Sequence, residues 1–272
     1  MRIVVDMQHS FLMDNMVINL TTPRSWKELS SKQLIYISWL MCQSLTVPEF
    51  LTFAFIRLSG ITVLKKDGDI WYCKRKKERF ILTAEQALSF SKQFAWLTSE
   101  IGEVTPLSVL KNIKHKDARL HGLPLSQYLA CENYYQAFLF TKKEVFLNCL
   151  IASFYFNGKE FNDAKTLKLS KKFENLPFRV RHTVFLWFYG FKSVLQKNFP
   201  NFFQKVETIL EDEKPQAPNM RVQIDNIIRT LTGGDVTKTE AIYQTETWTA
   251  LAELDAKARE NKDLERRMKK YK

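Results

Sequence analysis

Glycine and proline are scarce in this chain, with 8 of each among 272 residues. That shortage argues against a loop-rich β-sandwich and against long disordered segments. Hydrophobic residues make up 45% of the sequence, which is ordinary for a globular protein. The chain is long enough for one large domain or two small ones, and either arrangement can bury a sizeable core.

The four cysteines lie far apart and form no CxxC pair: Cys42, Cys73, Cys131 and Cys149. Because structural zinc sites bring closely spaced thiolates or imidazoles together, this spacing predicts no metal site. Apolar residues surround Cys42, Cys131 and Cys149, which we therefore expect to be buried free thiols. This use of cysteine is typical of a reducing compartment.

Long apolar runs are missing as well. The longest, residues 145–156 and 184–191, fall short of the ~20 residues that a membrane-spanning helix needs. The first residues, MRIVVDMQHSFLMDN, carry Asp6 and Asp14 where a signal peptide would be apolar. We therefore expect a cytoplasmic protein with no membrane partner.

No catalytic motif is present: the sequence has no G-x-S-x-G elbow, no H-E-x-x-H pair and no G-x-x-x-x-G-K-[ST] loop. His115, Asp117 and His121 cluster in IKHKDARLHGLP, where they could ligate a metal or exchange protons. Lys114 and Lys116 crowd the same segment and would repel a divalent cation. We predict a basic loop there, no catalytic residue, no metal and no cofactor. A triad assembled from distant residues stays open, since spacing does not reveal it.

Positive charge and phenylalanine are in excess. Lys and Arg number 41 against 29 Asp and Glu, a net charge of +12, which favours acidic partners. The 21 Phe residues are suited to cores and interfaces. The densest basic stretch, CKRKKER, has aromatic neighbours and contains a basic patch of Lys74, Arg75, Lys76, Lys77 and Arg79. Such a stretch can bind a nucleic-acid backbone, but lysines on hairpin arms also protect sheet edges, and we favour the protective role.

Periodicity and capping signals predict a mainly α protein with a small α+β unit at its N-terminus. Three S/T-x-x-E/Q capping boxes predict helix starts at Ser30, Thr46 and Thr83. Between the second and third of these helices, ITVLKKDGDIWYCKRK and ERFIL predict a β-meander over residues 61–82. Its first turn should lie at Asp67-Gly68. The rest of the chain has a helical pattern.

Composition divides the chain further. Residues 211–219, EDEKPQAPN, are polar and carry two prolines, which predicts a linker. We therefore expect an α+β unit at residues 1–105 and a helical body packed on it at residues 106–210. A helical C-terminal module should follow the linker at residues 220–272.

The last helix of this C-terminal module changes character along its length. Four acid–base pairs four residues apart favour a helix to the chain's end, each contributing ~0.2–0.5 kcal/mol: Glu253–Lys257, Asp255–Arg259, Asp263–Arg267 and Glu265–Lys269. The helix begins with a dense apolar face, which thins out past Ala258. We predict a helix packed at its root and exposed or partner-bound at its tip. Its partner-binding residues are Trp248, Leu251, Leu254, Leu264 and Met268.

Three stretches, about a quarter of the chain, carry a family resemblance. Residues 117–139, DARLHGLPLSQYLACENYYQAFL, resemble a family of uncharacterised proteins encoded in prophage-like elements of gut anaerobes. Residues 224–260, IDNIIRTLTGGDVTKTEAIYQTETWTALAELDAKARE, are similar to the C-terminal part of phage tail assembly chaperones. The likeness lies in a G-D-x-T-K turn between short helices and a longer helix bearing Trp and Leu. The segment WKELSSKQL also resembles the start of such phage proteins.

The resemblance implies a non-enzymatic, phage-derived assembly or structural protein that binds other phage or virion proteins, with tail morphogenesis as its setting. Its location would be the host cytoplasm or the virion. The basic charge leaves an alternative open, a nucleic-acid-binding protein of a mobile element. Ionic strength separates the two, because phosphate-driven binding weakens steeply with salt and a largely apolar protein interface does not.

Overall fold

A computed structural model describes residues 2–7, 15–117, 119–158, 161–203 and 219–270, with residues 2–7, 15–19 and 270 described by their backbone alone. The chain divides into two compact units, Met1–Thr105 and Pro106–Lys272. The first is a small α+β unit and the second is almost entirely helical, which confirms the predicted mainly α fold class. Within the described ranges, no helix combines the length and apolar character needed to cross a bilayer.

In the part of the first unit that the structure describes, the chain forms a five-stranded antiparallel sheet and three α-helices. Its elements in chain order are β1 (Arg2–Met7), β2 (Asn15–Asn19), α1 (Ser31–Met41), α2 (Val47–Leu58), β3 (Thr62–Asp67), β4 (Ile70–Arg75), β5 (Glu78–Thr83) and α3 (Ala84–Ser91). The strand order is β2-β1-β5-β4-β3. The predicted meander is therefore confirmed as β3 to β5. Strand β1 was not predicted, and it extends the sheet by pairing with β5.

All three predicted capping boxes form. In the first, the Ser30 backbone N–H donates to Gln33 Oε1 at 2.9 Å, and the Gln33 backbone N–H donates to Ser30 Oγ at 3.4 Å. The same reciprocal pair begins α2 at Thr46 and α3 at Thr83. Each box satisfies two backbone donors that have no partner inside the helix, so the three helices begin where the sequence predicts.

The first turn of the meander lies one residue later than predicted. Asp67 pairs with Ile70, so the two turn residues are Gly68 and Asp69. Gly68 has φ +57°, a left-handed conformation that favours glycine. Asp67 completes the ladder between β3 and β4, and the glycine therefore occupies the first turn position.

One face of the meander packs on α2 and α3. Cys73, Phe80 and Leu82 lie on that face and are buried. They accompany Phe55 of α2 and Phe94, whose rings are fully buried and 6.3 Å apart between centroids. Because side chains alternate along a strand, the intervening residues of β4 and β5 lie on the opposite face of the sheet.

The described residues of the second unit form seven α-helices and one short hairpin. Its elements are β6 (Val109–Leu110), β7 (Ile113–Lys114), α4 (Leu125–Thr141), α5 (Glu144–Ala152), α6 (Asp163–Ser170), α7 (Phe178–Asn198), α8 (Met220–Thr232), α9 (Thr239–Gln244) and α10 (Thr247–Lys270). The helical pattern predicted after the meander is correct for most of this unit, but it missed the β6–β7 hairpin. Two left-handed residues, Lys111 and Asn112, form the turn of that hairpin.

Helix α5 occupies the core of the second unit. Leu147, Leu150 and Ile151 are fully buried on it, as are Trp187 and Phe188 of the neighbouring α7. The Phe154 ring meets the Trp187 ring edge-on at 4.7 Å between centroids. Phenylalanine is therefore a main component of this core.

The cysteine prediction is correct for two residues and wrong for one. All four thiols are free, and Cys131 and Cys149 are buried as expected. Cys42 is exposed, because it lies at the C-terminal end of α1, beyond the face that the helix buries.

Of the predicted linker at residues 211–219, residues 211–218 lie outside the described residues. The last linker residue, Asn219, is the N-cap of α8, and its Oδ1 accepts from the Val222 backbone N–H at 3.3 Å. Helix α8 ends at Gly233, whose φ of +65° suits a helix C-cap. The division of the second unit into a body and a separable C-terminal module stays a prediction.

Candidate protein-binding helix

The start of α10 is fixed to the loop that precedes α4. The Thr247 backbone N–H and hydroxyl both donate to the Leu123 carbonyl oxygen at 2.8 Å. The Trp248 Nε1–H donates to the Arg119 carbonyl oxygen at 2.7 Å. Glu246 caps the helix by accepting from the Thr249 backbone N–H at 2.8 Å. The bonds to Leu123 and Arg119 join residues more than 120 positions apart in sequence, so they fix the direction of α10.

The first two turns of α10 bury their apolar face within the second unit. Ala250, Leu251 and Leu254 are 2%, 1% and 3% exposed. Trp248 is half-buried, and its ring lies 5.4 Å from the Phe199 ring between centroids. These side chains anchor the helix, as the sequence predicted for its root. Leu251 and Leu254 have almost no surface left for a partner. Of the other predicted partner-binding residues, Trp248 is half-buried, and Leu264 and Met268 are exposed.

Asp255 closes the anchored part of α10. Its carboxylate accepts from the backbone N–H groups of Asn201 and Phe202 at 2.7 and 3.0 Å, and from Asn201 Nδ2 at 3.0 Å. Burial opposes its ionisation, but these hydrogen bonds outweigh burial and hold the pKa of Asp255 below its usual value. Spacing along the sequence predicts a pair of this carboxylate with Arg259, and it does not predict that Asp255 holds the residues after α7.

Beyond Asp255 the helix emerges into solvent. Residues 259–269 are exposed, apart from a half-exposed Lys262, and this part of the helix is roughly 15 Å long at 1.5 Å per residue. Leu264 and Met268 lie one turn apart and are 56% and 70% exposed. At 100° per residue they share a face with the buried Ala250 and Leu254. The face that anchors the root is therefore polar at Lys257 and Asn261 and becomes apolar again at Leu264 and Met268.

The side chains on the rest of α10 form fewer ion pairs than the sequence predicted. Among the described residues, only Glu253 and Lys257 of the four predicted pairs are in contact, at 3.4 Å. Asp263 pairs instead with Arg266, at 3.6 Å. Exposed pairs of this kind contribute little to stability, so packing at the root, more than surface charge, holds α10 in place.

The predicted basic patch is divided between the two faces of the meander. Lys74 and Arg79 pair across β4 and β5 on the face opposite the buried one. Arg75 lies on the other face, where its Nε–H donates to the Ser59 carbonyl oxygen at 3.1 Å. Lys76 and Lys77 form the turn between the two strands, and Lys76 has φ +53°. Tyr72 and Lys65, opposite each other in β4 and β3, lie on the same face as Lys74 and Arg79.

His115 occupies an aromatic environment. Its ring stacks on Phe154 at 5.5 Å and meets Tyr155 and Trp187 edge-on at 4.9 and 4.6 Å between centroids. Nδ1 lies 2.8 Å from the Lys116 carbonyl oxygen, which makes Nδ1 the protonated nitrogen. Burial lowers the pKa of His115 to about 4, so the ring is neutral at physiological pH.

The other members of the histidine cluster do not converge on His115. Asp117 Oδ1 accepts from the Arg119 backbone N–H at 2.6 Å, and the His121 ring stacks on Trp248 at 5.3 Å. Within the described part of the chain, no group of three or more His, Cys, Asp or Glu side chains is placed to hold a metal ion. These three residues make packing contacts and local hydrogen bonds.

Comparison with known proteins identifies no relative of this chain. No family model matches the chain, no curated protein is significantly similar to it, and no solved structure matches it significantly.

Proposed function

We propose that this protein is a non-enzymatic binding protein that docks the exposed half of α10 into an apolar groove on a protein partner. The observation that carries the proposal is that two exposed apolar residues lie on the same helix face as the buried residues of the root. Ala250 and Leu254 bury it against the chain itself, and Leu264 and Met268 present it to solvent. Single exposed apolar residues are common on protein surfaces. Two of them one turn apart, on a face that is otherwise a packing face, form the pattern read by a helix-binding groove.

The anchoring of the root favours such docking energetically. A segment that folds only on binding loses conformational entropy at that moment, which weakens the complex. Helix α10 is already held by hydrogen bonds at Leu123, Arg119 and Asn201. Its exposed turns therefore extend an ordered helix, and little ordering cost remains for the partner to offset.

The resemblance to prophage-encoded and tail-assembly proteins supplies the biological setting of this proposal. On that basis the partners are other phage or virion proteins, and the process is virion assembly, with tail morphogenesis as its specific form. The location would be the host cytoplasm, with the protein retained in the particle or released from it.

A double substitution on the exposed face tests the proposal. Co-expression with the products of adjacent phage genes should yield a co-purified partner for the unaltered chain. Leu264→Lys with Met268→Lys should lower the affinity about 100-fold, since burying two lysines costs several times RT. Asp263→Lys makes the same change in net charge on the far side of the helix and serves as the matched control. Equal binding by the double variant and the unaltered chain would contradict the proposal.

A second candidate function rests on the solvent face of the meander. Lys65, Lys74 and Arg79 lie on that face with Tyr72, and cations around an aromatic ring on a sheet are typical of single-strand nucleic-acid binding. Neither Lys74 nor Arg79 forms an ion pair within the described residues. The net charge of +12 is consistent with such a partner.

Anisotropy with a labelled single-stranded oligonucleotide tests this alternative. If the face binds nucleic acid, affinity should fall steeply with salt, and Lys74→Glu with Arg79→Glu should reduce the slope of log Kd against log salt by about one or two. The double variant Lys142→Glu with Lys143→Glu, at exposed positions after α4, makes the same charge change and should leave the slope nearer its original value. Identical slopes for both variants would exclude the meander as the binding face.

A further inference from the structure

A concave pocket in the second unit combines an apolar floor with a rim of lysines. It lies between the end of α5 and α6 and has a volume of about 430 Å³. Ala152, Phe156 and Leu169 form apolar walls. The rim consists of Lys165, Lys168 and Lys172, which lie three and four residues apart in the sequence.

The three rim lysines present their charge to one side of the pocket. At 100° per residue they fall on one face of α6 and its continuation, together with Leu169. They span roughly 10 Å along the helix axis at 1.5 Å per residue. All three are exposed, and none forms an ion pair within the described residues. The nearby Asp163 accepts instead from the Tyr134 hydroxyl at 2.7 Å. Among the described residues, no acidic side chain forms an ion pair with this concentrated positive charge.

Some polar groups of the pocket form hydrogen bonds within the chain and others do not. Asn162 Oδ1 caps α6 by accepting from the Lys165 backbone N–H at 3.1 Å, and the Thr166 hydroxyl donates to the Asn162 carbonyl oxygen at 3.2 Å. The exposed Asn157 side chain forms no hydrogen bond within the described residues. Its amide offers one donor and one acceptor to a peptide backbone.

The surroundings of Phe156 argue against a nucleotide base in this pocket. The Lys116 ammonium lies 4.4 Å from the centroid of the Phe156 ring, and its Nζ also donates to the Gly158 carbonyl oxygen at 2.8 Å. Phe161 meets the same ring edge-on at 6.3 Å. Phe156 is 8% exposed, so it offers little open ring surface for stacking. The remaining walls are aliphatic, which suits an aliphatic or aromatic side chain inserted end-on.

We propose that this pocket binds an acidic peptide segment of a protein partner, with one bulky apolar side chain inserted between Phe156 and Leu169 and flanking carboxylates at Lys165, Lys168 and Lys172. Charge complementarity selects the occupant, because only a ligand that is both anionic and apolar matches the floor and the rim. Charge-assisted hydrogen bonds from lysine to carboxylate set the register of the peptide, and the inserted side chain supplies the buried area. This surface is separate from the exposed face of α10 and does not depend on its role.

Selection from a displayed library of random peptides, using the full chain as bait, tests the proposal. Enriched peptides should place at least two Asp or Glu residues beside a Leu, Ile, Met or Phe. Lys168→Glu should weaken binding of a synthetic selected peptide about tenfold, and Leu169→Ser by a comparable factor. Lys197→Glu, an exposed charge reversal at the end of α7, should leave Kd unchanged. Far-UV circular dichroism of each variant checks that the helices remain.

Several outcomes would overturn the proposal. They are the absence of enriched peptides, enrichment of acidic peptides without an apolar residue, and equal binding of the selected peptide by Lys168→Glu or Leu169→Ser. Anionic lipid vesicles and a single-stranded oligonucleotide are tested in parallel. Binding of either one that is lost in Lys168→Glu, without peptide binding, would assign the pocket to that ligand instead. The Leu264→Lys, Met268→Lys variant should bind the peptide normally, so the two docking proposals stand or fall separately.

Discussion

The two halves of α10 present the same face to different surroundings. Leu254 is 3% exposed in the anchored half, whereas Leu264, on the same face ten residues later, is 56% exposed. The helix itself does not change between them, since both residues lie inside one continuous segment, Thr247–Lys270. The difference comes from what covers each residue, with α4 and α8 packed beside the root. An apolar residue on this helix can therefore serve stability or recognition, depending on its distance from the root.

The largest difference between the two halves should appear in stability. Leu254→Ala leaves a cavity in the second unit and should lower the free energy of unfolding by about 2–5 kcal/mol. Leu264→Ala removes the same atoms from an exposed position and should change it by less than about 0.5 kcal/mol. Urea-induced unfolding followed by circular dichroism measures both. Equal losses in the two variants would mean that the exposed half is covered in solution, and the comparison would fail.

The two histidines on either side of Asp117 give a second comparison between a buried and an exposed side chain. His115 is enclosed and its pKa is lowered to about 4 from an ordinary 6.5, whereas His121 is exposed and stacks on Trp248. At pH above 6.5 His115 is neutral in both the folded and unfolded states. As pH falls from 6.5 towards 4 only the unfolded state gains the proton, so stability should decrease by roughly 3 kcal/mol and then level off.

Carboxylates also titrate in the lower part of this range, so the quantity to compare is the pH dependence of two chains. The dependence between pH 6.5 and 4 should be weaker in His115→Gln than in the unaltered chain. A His115→Gln variant that retains the full pH dependence would show that the imidazole is protonated in the folded state.

Asp255 lies at the boundary between the anchored and exposed halves of α10. Its substitution should lower the free energy of unfolding by less than Leu254→Ala does. Asp255→Asn keeps the shape of the side chain but weakens the bonds from the Asn201 and Phe202 backbone N–H groups, at a cost of about 1–2 kcal/mol near neutral pH. The folded-state pKa of Asp255 is lowered, so its contribution is present above the unfolded pKa and is lost as pH falls through the folded value. Asp263→Asn, in the exposed half, is the matched control. A stability difference between the two variants that does not shrink as pH falls would contradict this role of the Asp255 carboxylate.

Local signals in the sequence predicted much of the fold. The capping boxes at Ser30, Thr46 and Thr83 need only residues three apart, and all of them form. The meander follows from alternation and one glycine, although its turn lies one residue later than predicted because Asp67 pairs with Ile70. These features are decided within one turn or one hairpin, which is the range over which sequence patterns are reliable.

The candidate site could be predicted only in outline, because its geometry depends on residues far apart in sequence. The thinning of the apolar face past Ala258 correctly distinguished a packed root from an exposed tip. Sequence could not show that Asp255 would bond to Asn201 instead of Arg259, since the two bonded residues are 54 positions apart. Nor could it separate the buried Leu254 from the exposed Leu264 as binding residues, because that depends on where α4 and α8 lie.

The smallest expected changes in the free energy of unfolding concern the ion pairs on α10. A pair that forms in the structure should contribute more than a pair predicted from spacing alone. Lys257 pairs with Glu253 at 3.4 Å, and its Nζ also donates to the Thr230 carbonyl oxygen at the end of α8 at 2.7 Å. Lys257→Ala should lower the free energy of unfolding by about 0.5–1 kcal/mol, most of it from the tie to α8. The effect should shrink at high salt, because both partners of the pair are partly exposed.

Arg259→Ala provides the comparison, since Arg259 lies two residues further along and was assigned by spacing to Asp255. Its guanidinium forms no ion pair among the described residues, and the Asp255 carboxylate is occupied by Asn201 and Phe202. The substitution should change stability by less than about 0.3 kcal/mol, which helix propensity alone can account for. A double-mutant cycle of Arg259→Ala with Asp255→Asn should give a coupling well below ~1 kcal/mol, because Arg259 acts on the Asp255 carboxylate through its charge and without an ion-pair contact. A coupling near 1 kcal/mol would show that the pair forms in solution and that spacing along α10 was sufficient to identify it.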